Sequence, residues 1–301
     1  METKTITIAG GSGFLGQVLT DYFTKLGHTI YILTRTPKQS NDIYWNAKDL
    51  DYWTKTLGET DVLINLTGKS VDCRYTEVNK KLIHDSRIDS TNVLGIAVNL
   101  CKNPPKVWLN MSTSTIYEVS YTKEMTEVNG NIGDDFSMNI AKSWEAAFNK
   151  TITPKTKHII LRTSIVLGKK GGALIPLKRL TQFGLGGKQW HGKQKVSWIH
   201  EIDFARAVSF LIDQNLEGTF NIVAPKPTTN TYLMLTFRKA LNIPFGISHP
   251  KWLLKIGAKI IGTESELVLK SRNVIPKKLI DEGFYFKYNT IEKAIESLVK
   301  S

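Results

Sequence analysis

An α/β fold, built on a doubly wound parallel sheet with a smaller C-terminal domain, is predicted from three features of the sequence. A glycine-rich turn lies between a β-branched run and an amphipathic segment, short apolar runs alternate with helix-like segments, and the texture changes after Val166. Taken in order, Thr5 to Ala9 is a short strand of alternating Thr and Ile. Gly10 to Gly16 supplies a turn, Phe14 to Leu26 carries apolar residues at helical spacing, and Gly27 closes that helix before a strand at Thr29 to Thr34. Further apolar runs at Val62 to Leu66, Val107 to Met111, His158 to Leu161 and Thr219 to Val223 alternate with helical segments at Val78 to Cys101, Ile140 to Lys150 and Asp203 to Asp213. Parallel strands need crossover helices, and this alternation supplies them.

From Gly168 to Gln194 the chain is glycine-rich, and from Thr231 onward it is helix-rich. Because Thr219 to Val223 reads as a core strand, the chain is expected to return to its first domain before finishing in the second. The expected division is residues 1–166, with the returning strand near 219–223, and residues 167–301.

The 301 residues are 41% apolar and 22% charged, which suits a globular chain and excludes a disordered, collagen-like or coiled-coil one. No stretch approaches the about 18 to 20 apolar residues of a spanning helix, and no signal-peptide pattern precedes Thr5, so a cytoplasmic protein with no membrane partner is expected. Cys73 and Cys101 have neither metal-ligand spacing nor the density of a disulfide framework, and no metal site is expected. Lys and Arg total 40 against 27 Asp and Glu, a net charge of +13. The charge is scattered in short pairs such as Lys80-Lys81, Lys169-Lys170 and Lys277-Lys278, with no basic tract interleaved with aromatics. That pattern points away from nucleic acid and suits a solvated surface or a phosphate-bearing small molecule.

Gly10, Gly13 and Gly16 form a GxxGxxG turn between strand and helix. Glycine there lets the backbone approach a pyrophosphate while the helix N-terminus offers free N–H groups, so a dinucleotide cofactor is expected, cradled by Gly10, Gly13, Phe14, Leu15 and Gly16. About 20 residues on, a carboxylate would mark NAD. The chain instead reads Thr34-Arg35-Thr36. A guanidinium there can pair with a 2′-phosphate and stack on adenine, with Thr34 as a further donor, so NADP(H) is favoured.

More motifs follow: Asn65-Leu66-Thr67-Gly68, Asp85-Ser86-Arg87, Arg162 to Gly172, Phe183 to Gly187, Ser197 to His200 with Asp203, Asn221 to Asn230, Val274 to Leu279, and Gly283-Phe284. Together with the glycine turn they resemble, end to end, an extended short-chain dehydrogenase/reductase, in the atypical epimerase-family branch related to sugar-nucleotide epimerases with its own C-terminal domain. The resemblance implies a Rossmann domain with Leu66, Thr67 and Gly68 along the adenosine side of the cofactor, Arg87 reaching it from the next helix, and Val166 near the nicotinamide. The residues alone make Arg87 a helix-surface salt bridge.

The family's catalytic Tyr-x-x-x-Lys pair is incomplete, because counting back from Lys142 places Met138 at the tyrosine position. The remaining candidates are Ser112 and Thr113 as hydroxyl donors, Tyr117 as acid/base, and Lys142 as a ribose or phosphate contact. His200, Trp190, His191 and Lys188 are candidates for substrate contact. The expected function is an NADP(H)-dependent oxidoreductase or epimerase-like enzyme acting on a polar small molecule, a nucleotide-linked sugar or a carbonyl compound. The alternative is a non-catalytic NADP(H)-binding sensor or scaffold. A homodimer is compatible with the sequence on general grounds.

Overall fold

The computed structural model describes residues 2–151 and 153–300. Its strands are β1 (Thr5–Ala9), β2 (Thr29–Thr34), β3 (Asp42–Tyr44), β4 (Val62–Asn65), β5 (Val107–Thr113), β6 (Lys157–Thr163), β7 (Ile165–Gly168), β8 (Gly171–Gly172), β9 (Lys195–Val196), β10 (Trp198–His200), β11 (Gly218–Ile222) and β12 (Thr228–Thr229). The helices are α1 (Phe14–Lys25), α2 (Glu77–Leu100), α3 (Phe136–Asn149), α4 (Leu174–Leu180), α5 (Glu201–Asp213), α6 (Asn230–Ala240), α7 (Lys251–Ile261), α8 (Glu266–Leu269), α9 (Lys277–Asp281) and α10 (Ile291–Val299).

Seven strands form one sheet in the order β11-β6-β5-β4-β1-β2-β3, and each neighbouring pair is parallel. The order reverses between β1 and β4, which opens a crevice at the carboxyl edge, the place where doubly wound sheets bind ligands. The predicted run Val107 to Met111 extends to Thr113 because Ser112 and Thr113 still pair with Arg162 and Thr163. Thr219 does return to the sheet, opposite Ile160.

Both faces of the sheet are covered. On one, Leu19 and Phe23 of α1 and Phe204, Val208 and Leu211 of α5 bury against Ile6, Ile8, Ile64 and Leu109. On the other, Val93, Leu94 and Ala97 of α2 and Phe148 of α3 bury against Leu33, Leu63 and Trp108. A third core, with Leu167, Trp198, Leu233, Phe237, Ile291 and Ile295, holds β7, β10, α6 and α10 together in the C-terminal lobe. The short β10–β7–β8 and β9–β12 pairings were not legible as strands, because segments of two to four residues carry no periodicity. Among the described residues no helix is long and apolar enough to cross a membrane.

Candidate functional site

The crevice is built first by the glycine turn. Gly10 has φ +75°, and a Cβ there would sit 3.1 Å from the backbone of Thr67, so the turn rests directly on the end of β4. At Gly16 a Cβ would come within 2.2 Å of the Gly11 carbonyl, which only glycine allows. Gly13 caps α1 in an extended conformation without a side-chain hydrogen bond, and the first turn holds no acidic residue. The α1 N-terminus therefore offers N–H groups and positive dipole to an anion.

At the end of β2, Arg35 is exposed and makes no hydrogen bond or ion pair among the described residues. Thr34 departs from expectation. It is buried, its hydroxyl donates to Ser12 Oγ at 3.2 Å, and it accepts from Thr36 N. Ser12, exposed beside it in the turn, carries a second hydroxyl at this end of β2. Sequence reasoning passed over Ser12 because it fills a variable position of the glycine motif.

The end of β4 is held by a buried amide network. Asn65 Nδ2 donates to Asn110 Oδ1 at 2.8 Å and to Thr91, while Asn65 Oδ1 accepts from Thr67 N. Thr67 Oγ1 is left buried without a partner among the described residues. Nearby, Arg87 has no carboxylate partner among the described residues, so the helix-surface salt bridge does not form. Its guanidinium lies 4.9 Å from the centroid of the Trp144 ring, donates to the carbonyls of Lys69 and Ile83, and stands 3.0 Å from a Cβ built on Gly68. Burial lowers its pKa to about 10. An orphaned hydroxyl, a half-buried cation with no carboxylate partner among the described residues and an uncapped helix N-terminus at one sheet edge fit an anionic ligand with a hydroxylated sugar.

Phe14 and Val166 meet on the other side of the turn. The Phe14 ring fills the space that Cβ atoms on Gly168 and Gly171 would take, while Gly172 lies against the Val166 carbonyl. Leu15 and Leu66 are half-buried on the same core as Val166. Ser164, next after the Thr113–Thr163 pair, has a buried Oγ with no partner among the described residues, a second orphan at this edge.

Two of the proposed catalytic groups are bound up elsewhere. Tyr117 is fully buried, donates to Asn221 Oδ1 at 2.9 Å and accepts from Arg162 Nη1 at 2.9 Å. Burial pushes its pKa up, further from a working acid. Arg162 holds Glu145 bidentately at 2.8 and 2.7 Å, and Ser112 Oγ donates to the same carboxylate at 2.6 Å. Ser112 and Tyr117 are thus two ends of one buried hydrogen-bonded network. Lys142 is paired with exposed Asp134 at 2.7 Å. Met138 is buried with its sulfur against Gly133. Thr113 differs. It is half-buried at the end of β5, its Oγ1 accepts from Thr115 N, and its own proton has no acceptor among the described residues.

His200 is a helix cap. Its Nδ1 accepts from Ile202 N, its Nε2 meets Ser297 Oγ, and its ring stacks on Tyr288 at 3.7 Å. Burial, with the charges of Lys287 and Lys169, pushes its pKa down to about 3. The unfolded chain, with a pKa near 6.5, binds this proton more readily, so the stability of the neutral cap is present above that pH and lost as pH falls toward 3. About 2 kcal/mol should disappear between pH 7 and 5. Burial pushes His28, His158 and His249 down as well, in the same sense. His200→Asn keeps a capping acceptor without the titration, and urea midpoints measured across this range should flatten; an unchanged slope would show that His200 does not carry the effect.

Residues 6–223 match the NAD dependent epimerase/dehydratase family, and residues 249–298 match a domain of unknown function, DUF1731. An epimerase family protein of Staphylococcus aureus is 33% identical over 302 residues, covering 99% of both chains. Another from Bacillus subtilis, YfhF, is 32% identical over 305 residues, covering 98% of this chain and 97% of that protein. The crystal structure of the human epimerase family protein SDR39U1 with NADPH superimposes with a TM-score of 0.88 at 27% identity, covering 99% of each chain. A nucleoside-diphosphate sugar epimerase from Corynebacterium glutamicum gives 0.80 at 25% identity, over all of this chain and 59% of that one. A crevice lined by the glycine turn, the β4 end and Arg87, on a chain related over its whole length to these proteins, makes this chain a member of the NAD dependent epimerase/dehydratase family.

Proposed function

We propose that the protein is an NADP(H)-dependent oxidoreductase or epimerase-like enzyme acting on a polar carbonyl compound or nucleotide-linked sugar. The observation that carries the reading is the exposed, unpartnered Arg35 beside Ser12, with no carboxylate at the end of β2. NADPH in the human relative and the sugar nucleotide named for the Corynebacterium relative support it. In this reading Arg35 and Ser12 take the 2′-phosphate, the α1 N-terminus takes the pyrophosphate, and Thr67, Gly68 and Arg87 line the adenosine side. Bound NADP(H) supplies hydride exchange at its nicotinamide. Thr113 orients the substrate oxygen through the hydroxyl proton it has to spare. Residues 1–166 with β11 form the cofactor domain and 167–301 the substrate domain, and the free thiols of Cys73 and Cys101 support a reducing, cytoplasmic setting.

NADPH and NADH titrated separately, followed by cofactor fluorescence, should show NADPH bound at least about tenfold tighter, as expected for one charge-assisted phosphate contact. Binding of neither would remove the proposal. Thr113→Ala should lower turnover against a panel of sugar nucleotides and carbonyl compounds by about 10²-fold while leaving NADPH affinity unchanged. An equal loss of cofactor binding would show that Thr113 is structural.

A second reading, a cofactor-binding sensor or scaffold without turnover, is favoured by Met138 and by the burial of Tyr117 and Ser112. NADPH binding with no turnover across the panel, and turnover gained in Met138→Tyr, would select it.

A further inference from the structure

Helix α7 carries Trp252, Ile256 and Ile260 at positions i, i+4 and i+8, and these side chains are 63, 49 and 78% exposed. Lys251, Lys255 and Lys259 form the adjoining stripe, one residue earlier in each turn, and all three are exposed. Among the described side chains of α7 only Ala258 is buried. An ordinary surface helix turns such an apolar stripe inward, whereas this one turns it to solvent. Phe183, Phe245 and Ile247 are also exposed, and they connect to the start of the helix. Ile247 N donates to the Gly184 carbonyl, Trp190 N donates to the His249 carbonyl, and the Lys251 ammonium lies 4.8 Å from the centroid of the Trp190 ring.

The charge of this face selects its partner. Residues 251–261 contain three lysines and no acid. The next carboxylates, Glu264 and Glu266, are already held by Arg74 and Lys270. Two copies of the stripe brought together would set lysine against lysine with no carboxylate between, so a second copy of the chain is disfavoured. At 11 residues the helix is about 16 Å long, too short to span a bilayer. An apolar stripe with tryptophan, flanked by lysines, is the pattern of a helix lying in the plane of an anionic membrane surface.

We propose that α7 docks the protein reversibly on an anionic bilayer, with Lys255 and Lys259 at the headgroup phosphates and Trp252, Ile256 and Ile260 at the acyl boundary. The absence of a spanning segment does not bear on this mode, which needs neither the length nor the uninterrupted apolarity of a span. The helix is anchored to the sheet domain rather than loose, because Glu264, just beyond it, bonds Arg74 and Tyr75 N, and Thr263 bonds Asp72.

The test is co-sedimentation of the full chain with vesicles of phosphatidylcholine alone or mixed with phosphatidylglycerol, at low and high salt. The expected result is binding to the anionic vesicles at least about tenfold stronger than to the neutral ones, weakened by salt, with a blue shift of tryptophan fluorescence. Lys255→Glu/Lys259→Glu and Trp252→Ser/Ile256→Ser should each reduce it at least about tenfold. All four positions are exposed, so unchanged NADPH binding and thermal melting serve as folding controls. No binding above the neutral vesicles, or binding insensitive to both variants, would overturn the proposal. So would a wild-type dimer that Ile256→Ser converts to monomer, since the face would then belong to a second copy.

Discussion

Arg162→Met is expected to lower folding stability by about 3–5 kcal/mol, among the largest effects a single substitution can have. The guanidinium joins two halves of a buried network. It holds the Glu145 carboxylate bidentately on one side and donates to the Tyr117 hydroxyl on the other. The side chains of Arg162 and Glu145 are only 13 and 10% exposed, so among the described residues the carboxylate left behind keeps Ser112 alone as a hydrogen-bond partner, with little water. A buried charge stripped of its counterion costs far more than the pair contributes. Urea unfolding of the single variant, and of Arg162→Met combined with Glu145→Met, separates the two effects. The double variant should recover most of the loss, because no uncompensated charge remains. A single variant costing under about 1 kcal/mol would mean that the network relaxes onto solvent and is not buried as described.

Arg35→Glu should weaken NADPH binding by about 10²–10³-fold and leave NADH within a few-fold of its starting affinity. A charge-assisted contact contributes about 1.5–3 kcal/mol, and a carboxylate facing a phosphate adds repulsion, together about 3–4 kcal/mol. Because Arg35 is exposed and its side chain has no hydrogen bond or ion pair among the described residues, its removal breaks no described contact, and stability should change by less than about 0.5 kcal/mol. Raising the salt should shrink the difference between wild type and variant. Fluorescence titrations with both cofactors decide it. Equal loss for NADPH and NADH would move Arg35 from the 2′-phosphate to a part the two cofactors share.

Reading the chain residue by residue reached some of this and not the rest. The turn from Gly10 to Gly16 was legible because the constraint is local: a positive φ at Gly10, and no room for a Cβ at Gly16, are properties of a few consecutive residues. The returning strand β11 was legible because a buried parallel strand is a run of apolar residues wherever it falls in the chain. The fate of Tyr117 was not. Its partners Arg162 and Asn221 lie 45 and 104 residues away, and nothing near Tyr117 in the sequence marks it as spoken for. His200 read as a candidate for substrate contact, whereas Ser297, 97 residues on, and Tyr288 hold it as a buried cap. Arg87 went the other way, from a bland surface charge to a half-buried cation facing Gly68, because Trp144 packs over it.

By itself the sequence determined the α/β class, the order of strand, glycine turn and helix, and the absence of a carboxylate at the end of β2, since periodicity, glycine and residue identity act within a few residues of one another. Only the tertiary structure decided which polar groups stay free at the carboxyl edge, because that depends on what each meets across the fold. Tyr117, Ser112 and Thr34 found partners there, whereas among the described residues the hydroxyls of Thr67 and Ser164, the Arg35 guanidinium and the spare proton of Thr113 did not.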